Sequence, residues 1–257
     1  MRVMVQMASS LAIAFATYSR IPMPRVDWSE ENRRYSLCFF PIIGMVIGAA
    51  LCGWLWLCDA LEIGAMLRGC VGALIPLLIT GGIHMDGFMD TCDALASWQS
   101  KERRLEILKD SHVGAFAVIG CCAYLMIAAG LLSEMTVDHA LLLALCFVAS
   151  RAASAMTSVC LKSAKSDGML RSFTASAQRR AVLISSCGYF ALCVCIWLHA
   201  GLAMAVLCAV AVVICALVYK RMAYTHFGGV TGDLAGWLLQ VTELALIAVI
   251  VMGGKIV

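Results

Sequence analysis

An apolar run of the chain ends in a segment that carries three regularly spaced aspartates. The segment is HMDGFMDTCD over 84–93, in which Asp86, Asp90 and Asp93 follow one another at intervals of four and three residues. On an α-helix this spacing puts the three carboxylates on one stripe. Neighbouring anions repel one another unless a cation neutralises them, and hard divalent metals prefer such oxygen ligands. The pattern therefore indicates a Mg²⁺ site that carries a phosphorylated substrate.

A second acidic pattern follows in the segment KERRLEILKDSHVG over 101–114. Its leucines and isoleucine predict a helix on which Glu102, Glu106 and Asp110 are spaced four residues apart. We interpret Glu102 as part of a solvated face, and we expect Glu106 and Asp110 to face a site because Asp110 lies where the next apolar run begins. Two acidic helices at one membrane face can bind a two-metal cluster that clamps a diphosphate, while a free carboxylate takes the proton of an attacking hydroxyl.

Two further polar connections contain groups that suit phosphate. The segment KSAKSDGMLRSFT over 162–174 places Arg171 beside hydroxyl side chains, although a cytoplasmic loop needs basic residues for topology alone. The segment HFGGVTGDLAG over 226–236 is glycine-rich and opens the last apolar run, so its backbone N–H groups can approach an anion at a helix N-terminus. Asp233 in this segment can equally be a helix N-cap.

The elements that must position these groups cross a membrane. Apolar residues make up 62% of the 257 positions, charged residues make up 14%, and the mean hydropathy is +0.91. We therefore expect an all-α polytopic membrane protein, with a single domain over 1–257, a bundle of about seven transmembrane helices and a shorter apolar helix at 3–18. The predicted spans are about 37–58, 63–83, 112–132, 137–161, 181–198, 201–219 and 234–252.

Basic residues orient these spans. Fifteen of the 19 Lys and Arg residues lie in four connections, which are 19–36, 84–111, 162–180 and 220–233. The alternate connections 59–62 and 133–136 contain none. Because short basic loops stay in the cytoplasm, the acidic and glycine-rich segments are all predicted on the cytoplasmic face. The net charge of +3 follows from this topology and requires no nucleic-acid partner.

Ionisable residues are rare inside the predicted spans. Arg151 and Glu243 fall deep enough to need a partner, and we expect them to form a structural ion pair. Arg68 is expected near the outer interface. The 14 cysteines lie mostly in apolar spans without a Cys-x-x-Cys pair, so we interpret them as reduced core residues. Cys92 lies within the aspartate motif, but no second Cys or His has a spacing that favours zinc.

Five short motifs occur in register along most of the chain. They are RIP at 20–22, FPIIG at 40–44, HMDG-x-x-D-x-x-D at 84–93, LEILKDS-x-x-G at 105–114 and GG-x-TGD at 228–233. Together they resemble the adenosylcobinamide-GDP ribazoletransferase family, also called cobalamin 5'-phosphate synthase. The resemblance implies a multi-pass, Mg²⁺-dependent enzyme of the bacterial inner membrane, with Mn²⁺ as the alternative metal. Its reaction joins α-ribazole or α-ribazole 5'-phosphate to adenosylcobinamide-GDP and releases GMP.

The resemblance also implies roles for individual residues. The expected metal ligands are Asp86, Asp90, Asp93, Glu106 and Asp110. The expected catalytic residues are Asp93 and Asp110, with Asp110 as a metal ligand or general base. The expected contacts to the substrate phosphates are Lys109, Arg171, Gly228, Gly229, Gly232 and Asp233. The lipid bilayer is a further partner, and the oligomeric state stays open, with a homo-oligomer as one option.

Other classes of protein share parts of this pattern. An aspartate-rich, Mg²⁺-dependent membrane prenyltransferase also pairs two acidic motifs, but it would release pyrophosphate and would not need the Arg171 loop. A cation transporter would use carboxylates near the membrane midplane, whereas the acids here cluster at one face. The motifs also echo the CDP-alcohol phosphotransferases, although Ala94, Trp98 and Glu106 depart from the signature of that family.

Overall fold

The computed structural model describes residues 2–165 and 168–253, and positions 166–167 of the predicted basic connection therefore lie outside the described residues. Within the described ranges the chain is helical, and the β-type pairing there is a single bridge between Ser163 and Val230. The α-helices of these ranges are α1 (Arg2–Tyr18), α2 (Glu30–Arg33), α3 (Phe40–Ala60), α4 (Ala65–Thr80), α5 (Ile83–Ala96), α6 (Lys101–Ile107), α7 (Ala115–Ser133), α8 (Ala140–Cys160), α9 (Met169–Ser176), α10 (Arg179–Trp197), α11 (Leu202–His226) and α12 (Gly232–Gly253).

Most of the long helices are able to cross a membrane. In the described part of the chain, six helical stretches have the required length and hydropathy, and they are Glu30–Ala60, Ala115–Ser133, Val137–Cys160, Arg179–Ala200, Leu202–His226 and Gly232–Gly253. A seventh crossing results if α4 and α5 are counted as one broken span. α1 contains a shorter apolar helix, Met4–Tyr18. The predicted all-α polytopic fold with a short N-terminal helix is confirmed.

The centre of the bundle consists of α3, α8 and α12, which are more extensively buried than the other membrane-crossing helices. α3 approaches α8 closely, since a Cβ atom at Gly48 would lie 2.6 Å from the Cβ of Ala144. Small residues at such a crossing let two helix backbones make extensive van der Waals contact, which drives helix association in lipid. Helices α7, α10 and α11 surround this centre and expose apolar side chains such as Ile119, Ile184 and Leu217.

A buried ion pair joins two of the central helices. Arg151 Nη1 on α8 donates to Glu243 Oε1 on α12 at 2.6 Å, and both side chains are 1% exposed. Ser150 Oγ donates to the same carboxylate oxygen at 3.1 Å. The predicted pairing of these two intramembrane charges is confirmed. Because separating them would leave an uncompensated buried charge, the pair fixes α8 against α12.

The chain turns sharply between α4 and α5. Gly81 and Gly82 have φ angles of 67° and 79°, a left-handed region in which glycine is favoured because it lacks a Cβ. α5 leaves this turn at 100° to α4. The predicted span over 63–83 therefore ends at the turn, and the three aspartates lie on a separate helix. The predicted helical stripe of Asp86, Asp90 and Asp93 is confirmed by α5.

The basic connections meet at one end of the bundle. Arg33 Nη1 donates to Ser172 Oγ at 2.6 Å, which joins the first connection to the third. Val230 N–H donates to the Lys162 carbonyl, and Ala164 N–H donates to the Val230 carbonyl, at 2.9 Å each. These two bonds join the third connection to the fourth.

The second basic connection joins the same group, whereas Arg68 lies at the other end. Arg104 Nη1 on α6 is 2.6 Å from His226 Nδ1 at the end of α11. Arg68 donates to the carbonyl oxygens of Ile63 and Met135 at 3.2 Å each, beside the connections that lack basic residues. The basic connections therefore share one end of the bundle, as the charge pattern predicts.

Candidate active site

A cavity of about 330 Å³ lies where the basic connections meet. Its walls come from α1, α3, α5, α8, α9 and the first turn of α12. Asp86 of α5 and Asp233 of α12 line the cavity, and Gly232 borders it. Ser154 and Ser158 add two hydroxyl side chains from α8. The cavity thus brings the first acidic segment together with the glycine-rich segment.

Two glycines allow α5 to cross the start of α12 at close range. A Cβ atom at Gly87 would lie 2.8 Å from Asp233 Cα, and a Cβ atom at Gly236 would lie 2.9 Å from the carbonyl oxygen of His84. Close-packed interiors do not tolerate such overlaps, so larger residues would push the two helices apart. This crossing places Asp86 and Asp233 at the same cavity.

The site has an excess of negative charge. Asp90 lies one turn after Asp86 on α5 and within electrostatic reach of Asp86, Asp93 and Asp233. Lys165 is a nearby cation, and its Nζ lies 3.9 Å from Asp233 Oδ2. A single lysine charge leaves most of this carboxylate charge uncompensated. The arrangement therefore favours the binding of a divalent cation.

The donor set fits a metal ion that binds together with substrate. Among the described residues, no group of three His, Cys, Asp or Glu side chains is placed to hold a metal ion by itself. Mg²⁺ commonly keeps several waters and takes one or two carboxylates plus substrate phosphates. Asp86 and Asp90 supply two such carboxylates on one helix face. A third protein ligand is not required for this kind of site.

Asp93 is engaged by the start of the next membrane helix. Its Oδ2 accepts the N–H of Gly114 at 2.7 Å, and its Oδ1 accepts the N–H of Ala117 at 2.8 Å. A carboxylate here satisfies free N–H groups at the start of α7 and complements the helix dipole. Asp93 therefore fixes α5 against α7. Its roles as a metal ligand and in catalysis stay predictions.

The second acidic segment differs from the predicted continuous helix. α6 ends at Ile107, so the expectation that Asp110 shares a helical face with Glu106 is wrong. Asp110 Oδ1 accepts the backbone N–H of His112 at 3.0 Å and lies 2.6 Å from the ring Nδ1 of His112. An aspartate that bonds the backbone two residues ahead favours a turn over a helix. The same hydrogen bonds hold the pKa of the exposed Asp110 carboxyl below its usual range.

The remaining acidic and basic candidates of this segment lie on the surface. Glu106 Oε2 accepts from Arg103 Nη1 at 2.6 Å, and both side chains are more than half exposed. Lys109 is also exposed. Asp110 and Asp93 line a common shallow depression, separate from the cavity that Asp86 lines. The structure therefore places Asp93 and Asp110 at one depression, and Glu106 is outside the lining of the cavity that contains Asp86.

The two adjacent glycines of the glycine-rich segment let this segment pack closely against the third connection. Gly228 has a φ angle of 76°, and a Cβ atom at Gly229 would lie 2.5 Å from the carbonyl oxygen of Lys162. The N–H of Gly229 donates to a carbonyl of α11, and the N–H of Val230 donates to Lys162. These N–H groups are thus used within the protein. Gly232, in contrast, borders the cavity at the start of α12.

The N-terminus of α12 is capped by Thr231. Its Oγ1 accepts the N–H of Leu234 at 3.3 Å and donates to Asp233 Oδ2 at 3.3 Å. The alternative interpretation of Asp233 as the N-cap is therefore wrong, since the threonine takes that position. The Asp233 carboxylate is left to line the cavity.

Arg171 lies on the exposed side of α9, next to the cavity. Its neighbour Leu170 lines the cavity, and its other neighbour, Ser172, accepts the hydrogen bond from Arg33. The guanidinium is therefore accessible to a substrate held there. Its role in phosphate binding stays a prediction.

Two residues at the site were not singled out from the sequence. Lys165 resembled any other basic residue of a cytoplasmic connection, and its place beside Asp233 depends on the long-range pairing with Val230. His84 is 6% exposed and lines the cavity. The signal for His84 was its position two residues before Asp86 in an acidic motif.

The fold and the site define a polytopic membrane protein with a carboxylate-lined cavity at the end that its basic connections share. A family model described as cobalamin-5-phosphate synthase matches residues 10–251. The chain belongs to this family, and the resemblance drawn from the five motifs is confirmed. No solved structure matches the chain significantly.

Curated relatives named adenosylcobinamide-GDP ribazoletransferase match the chain over its length. The relative from Lachnoclostridium phytofermentans is 43% identical over 250 residues, which cover 97% of this chain and 96% of that protein. A relative from Clostridium botulinum is 31% identical, covering 94% and 96% of the two chains. One from Geotalea daltonii is 31% identical, covering 95% and 97%. The similarity therefore includes every segment that forms the cavity.

Proposed function

We propose that this chain joins α-ribazole or α-ribazole 5'-phosphate to adenosylcobinamide-GDP and releases GMP. Membership of the cobalamin-5-phosphate synthase family and full-length similarity to relatives named adenosylcobinamide-GDP ribazoletransferase support this activity. The observation that carries the proposal is the cavity lined by Asp86 and Asp233, with Lys165 beside them. Carboxylates for a metal and a cation for phosphate are the groups that transfer between phosphates requires.

The proposed reaction replaces one bond to phosphorus by another. A ribose hydroxyl oxygen of the nucleoside attacks the phosphorus that is attached to the cobinamide. A new phosphodiester bond forms, the bond from this phosphorus to the bridging oxygen breaks, and GMP leaves with that oxygen. The hydroxyl proton passes to a carboxylate of the site. The task of the protein is to position the two substrates and to neutralise charge.

Asp86 and Asp90 are the proposed ligands of Mg²⁺, with Mn²⁺ as the alternative. When bound, the ion would neutralise charge that develops on the phosphate oxygens as GMP leaves. The observed contacts of Asp93 with backbone N–H groups and of Glu106 with Arg103 make these two residues weaker candidates as ligands. Asp86 lines the cavity, and Asp90 lies one turn further along α5, within electrostatic reach of Asp86 and Asp233.

Asp233 is the proposed acceptor of the hydroxyl proton. A general base must come within hydrogen-bond reach of the proton that it removes, and Asp233 lines the cavity. Asp110 lies outside the cavity, and its lowered pKa makes it a weaker base. Lys165 is proposed to contact phosphate oxygens of the leaving GMP, because a charge-assisted hydrogen bond strengthens as their charge increases.

The proposed location is the bacterial inner membrane, with the cavity facing the cytoplasm. Fifteen of the 19 Lys and Arg residues lie in the four connections that share the cavity end of the bundle. Loops with this charge bias stay in the cytoplasm during membrane insertion. Nucleotide substrates are also produced on that side of the membrane.

An assay of the purified protein tests the proposed function. The protein in detergent receives adenosylcobinamide-GDP, α-ribazole and Mg²⁺, and chromatography follows GMP and the cobamide product. We expect GMP and cobamide to appear in equal amounts, only when the nucleoside is present. Asp90→Asn should lose this activity, whereas Glu102→Gln, on the exposed face of α6, should retain it. Release of pyrophosphate, or GMP release without cobamide, would refute the proposal.

A further inference from the structure

One end of the cavity is aromatic. Tyr18, Phe40 and His84 line it, and the His84 ring centroid lies 6.1 Å from that of Tyr18 and 5.6 Å from that of Phe40. Leu37 and Met169 extend the apolar lining. Such a surface favours a planar, apolar ring, because ring faces and edges make favourable contacts with other aromatic groups.

His84 also contributes a buried polar atom to this end. Its Nε2 has no hydrogen-bond partner within residues 2–165 and 168–253. Burial of an unpaired nitrogen is destabilising, and nearly all buried polar groups in proteins have a partner. A bound molecule with one ring nitrogen at this position would supply the partner.

The size of the cavity limits which substrate can enter it. Its volume of about 330 Å³ is near the lower limit of small-molecule pockets. A nucleoside has a suitable size, whereas a corrin ring with its side chains is much larger. The cobinamide must therefore remain outside the cavity, with its phosphates at the carboxylate end.

The polarity of the aromatic end distinguishes the two bases in the reaction. The guanine of GMP has donors and acceptors around its whole edge, which would lose their hydrogen bonds to water among Leu37, Phe40 and Met169. A benzimidazole base that is joined to ribose through one nitrogen has a single free ring nitrogen. It therefore matches an apolar surface that offers the unpaired Nε2 of His84.

The polar groups that line the cavity suit a ribose. Ser154 and Ser158 lie one turn apart on α8, and Asp86 and Asp233 lie on the facing helices. Hydroxyl and carboxylate groups are suitable hydrogen-bond partners for ribose hydroxyls. A nucleoside with its base at the aromatic end would present a ribose hydroxyl to the carboxylates.

We infer that the cavity binds the acceptor nucleoside and that His84, with its proton on Nε2, donates a hydrogen bond to the free nitrogen of the benzimidazole base. The inference rests on the proposed function, and it gives one of the two substrates a defined place. His84 then determines which base is accepted, and it does not take part in the transfer of the phosphoryl group.

Kinetics with a modified nucleoside test this inference. The analogue of α-ribazole has a C–H group in place of the free ring nitrogen, and KM is measured for both nucleosides and for adenosylcobinamide-GDP. For the wild type, we expect a KM for the analogue that is roughly 3- to 10-fold higher, as for one lost hydrogen bond. His84→Leu should raise the KM of α-ribazole similarly and leave that of the analogue unchanged. His84→Gln should restore most of the difference in KM between the two nucleosides, since the glutamine amide nitrogen also donates a hydrogen bond.

Ser186→Ala is the matched control, because Ser186 Oγ on α10 is another buried atom without a partner in the described chain, outside the lining of the cavity. It should leave each KM unchanged. Equal KM values for the two nucleosides in the wild type would overturn the inference even if His84→Leu does not fold. The inference would also be overturned if His84→Leu changed the KM of adenosylcobinamide-GDP and left the KM of α-ribazole unchanged. A wild type that releases no GMP with either nucleoside would refute the proposed function itself.

Discussion

Lys165 Nζ lies 3.9 Å from Asp233 Oδ2, although the two residues belong to different connections. The backbone pairing of Val230 with Lys162 and Ala164 holds these connections together. The resulting contact places a cation at a site where carboxylates predominate. Because one lysine leaves most of their charge uncompensated, the charge balance of the site depends on the ions and substrates that bind.

Removal of divalent metal is expected to abolish activity. Without a bound cation, Asp86 and Asp90 would repel the diphosphate of the substrate, so turnover should stop in excess EDTA. Addition of Mg²⁺ or Mn²⁺ beyond the chelator should restore it. GMP release is the measurement. Undiminished turnover in EDTA, with the metal content verified as negligible, would contradict the metal model.

Asp233→Asn and Asp110→Asn are expected to differ in their effect on turnover. If Asp233 accepts the hydroxyl proton, its replacement should lower kcat by roughly 10²- to 10⁴-fold and leave the KM of adenosylcobinamide-GDP nearly unchanged. Asp110→Asn should have a small effect, since the carboxylate bonds His112 outside the cavity. The opposite ranking would favour Asp110 as the general base, which is one of the two roles expected for it from the sequence.

The sequence predicted the acidic stripe, which depends on local spacing, and one long-range ion pair. The aspartate interval predicted the helical stripe on α5, and the rarity of charge inside apolar spans predicted the pair of Arg151 and Glu243. The end of α6 before Asp110 was missed, because a single bond from His112 N–H to the Asp110 side chain competes with helix continuation. The spacing of apolar and acidic residues along the segment does not reveal such a local competition.

Other long-range contacts could not be predicted in the same way. The direction of the chain after Gly81 depends on left-handed backbone angles, which a glycine pair permits without specifying. The contact of Lys165 with Asp233 requires the pairing at Val230 to form first. The cavity at His84 requires six helices to pack together, so the HMDG motif could indicate chemistry but not the shape of the pocket.

Gly87→Ala is expected to impair the site by separating two helices. The added Cβ would lie 2.8 Å from Asp233 Cα, so α5 and α12 must move apart and the carboxylates with them. We expect a loss in kcat/KM of roughly 10²-fold, as for other small displacements of catalytic groups. Gly53→Ala is the control, because its Cβ would meet nothing within 4 Å. Equal activity of the two variants would show that the close crossing is unnecessary.

A labelling experiment tests the orientation in the membrane. A cysteine introduced at exposed Gly168 should react with a membrane-impermeant maleimide only after the cytoplasmic side is opened, whereas one at exposed Glu62 should react in intact spheroplasts. The unmodified chain, with its 14 cysteines, provides the background to subtract. Labelling of position 168 in intact spheroplasts would overturn the predicted orientation.

The pair of Arg151 and Glu243 is expected to behave as a unit in stability measurements. Glu243→Gln leaves the buried guanidinium without its counter-charge and should lower the free energy of unfolding by about 3–5 kcal/mol, seen as a lower Tm in detergent. Arg151→Met combined with Glu243→Leu removes both charges and should recover most of that loss, because no unpaired charge then remains buried. A double variant that is as unstable as Glu243→Gln would indicate that the hydrogen bonds of the pair, including the one from Ser150, matter more than charge compensation.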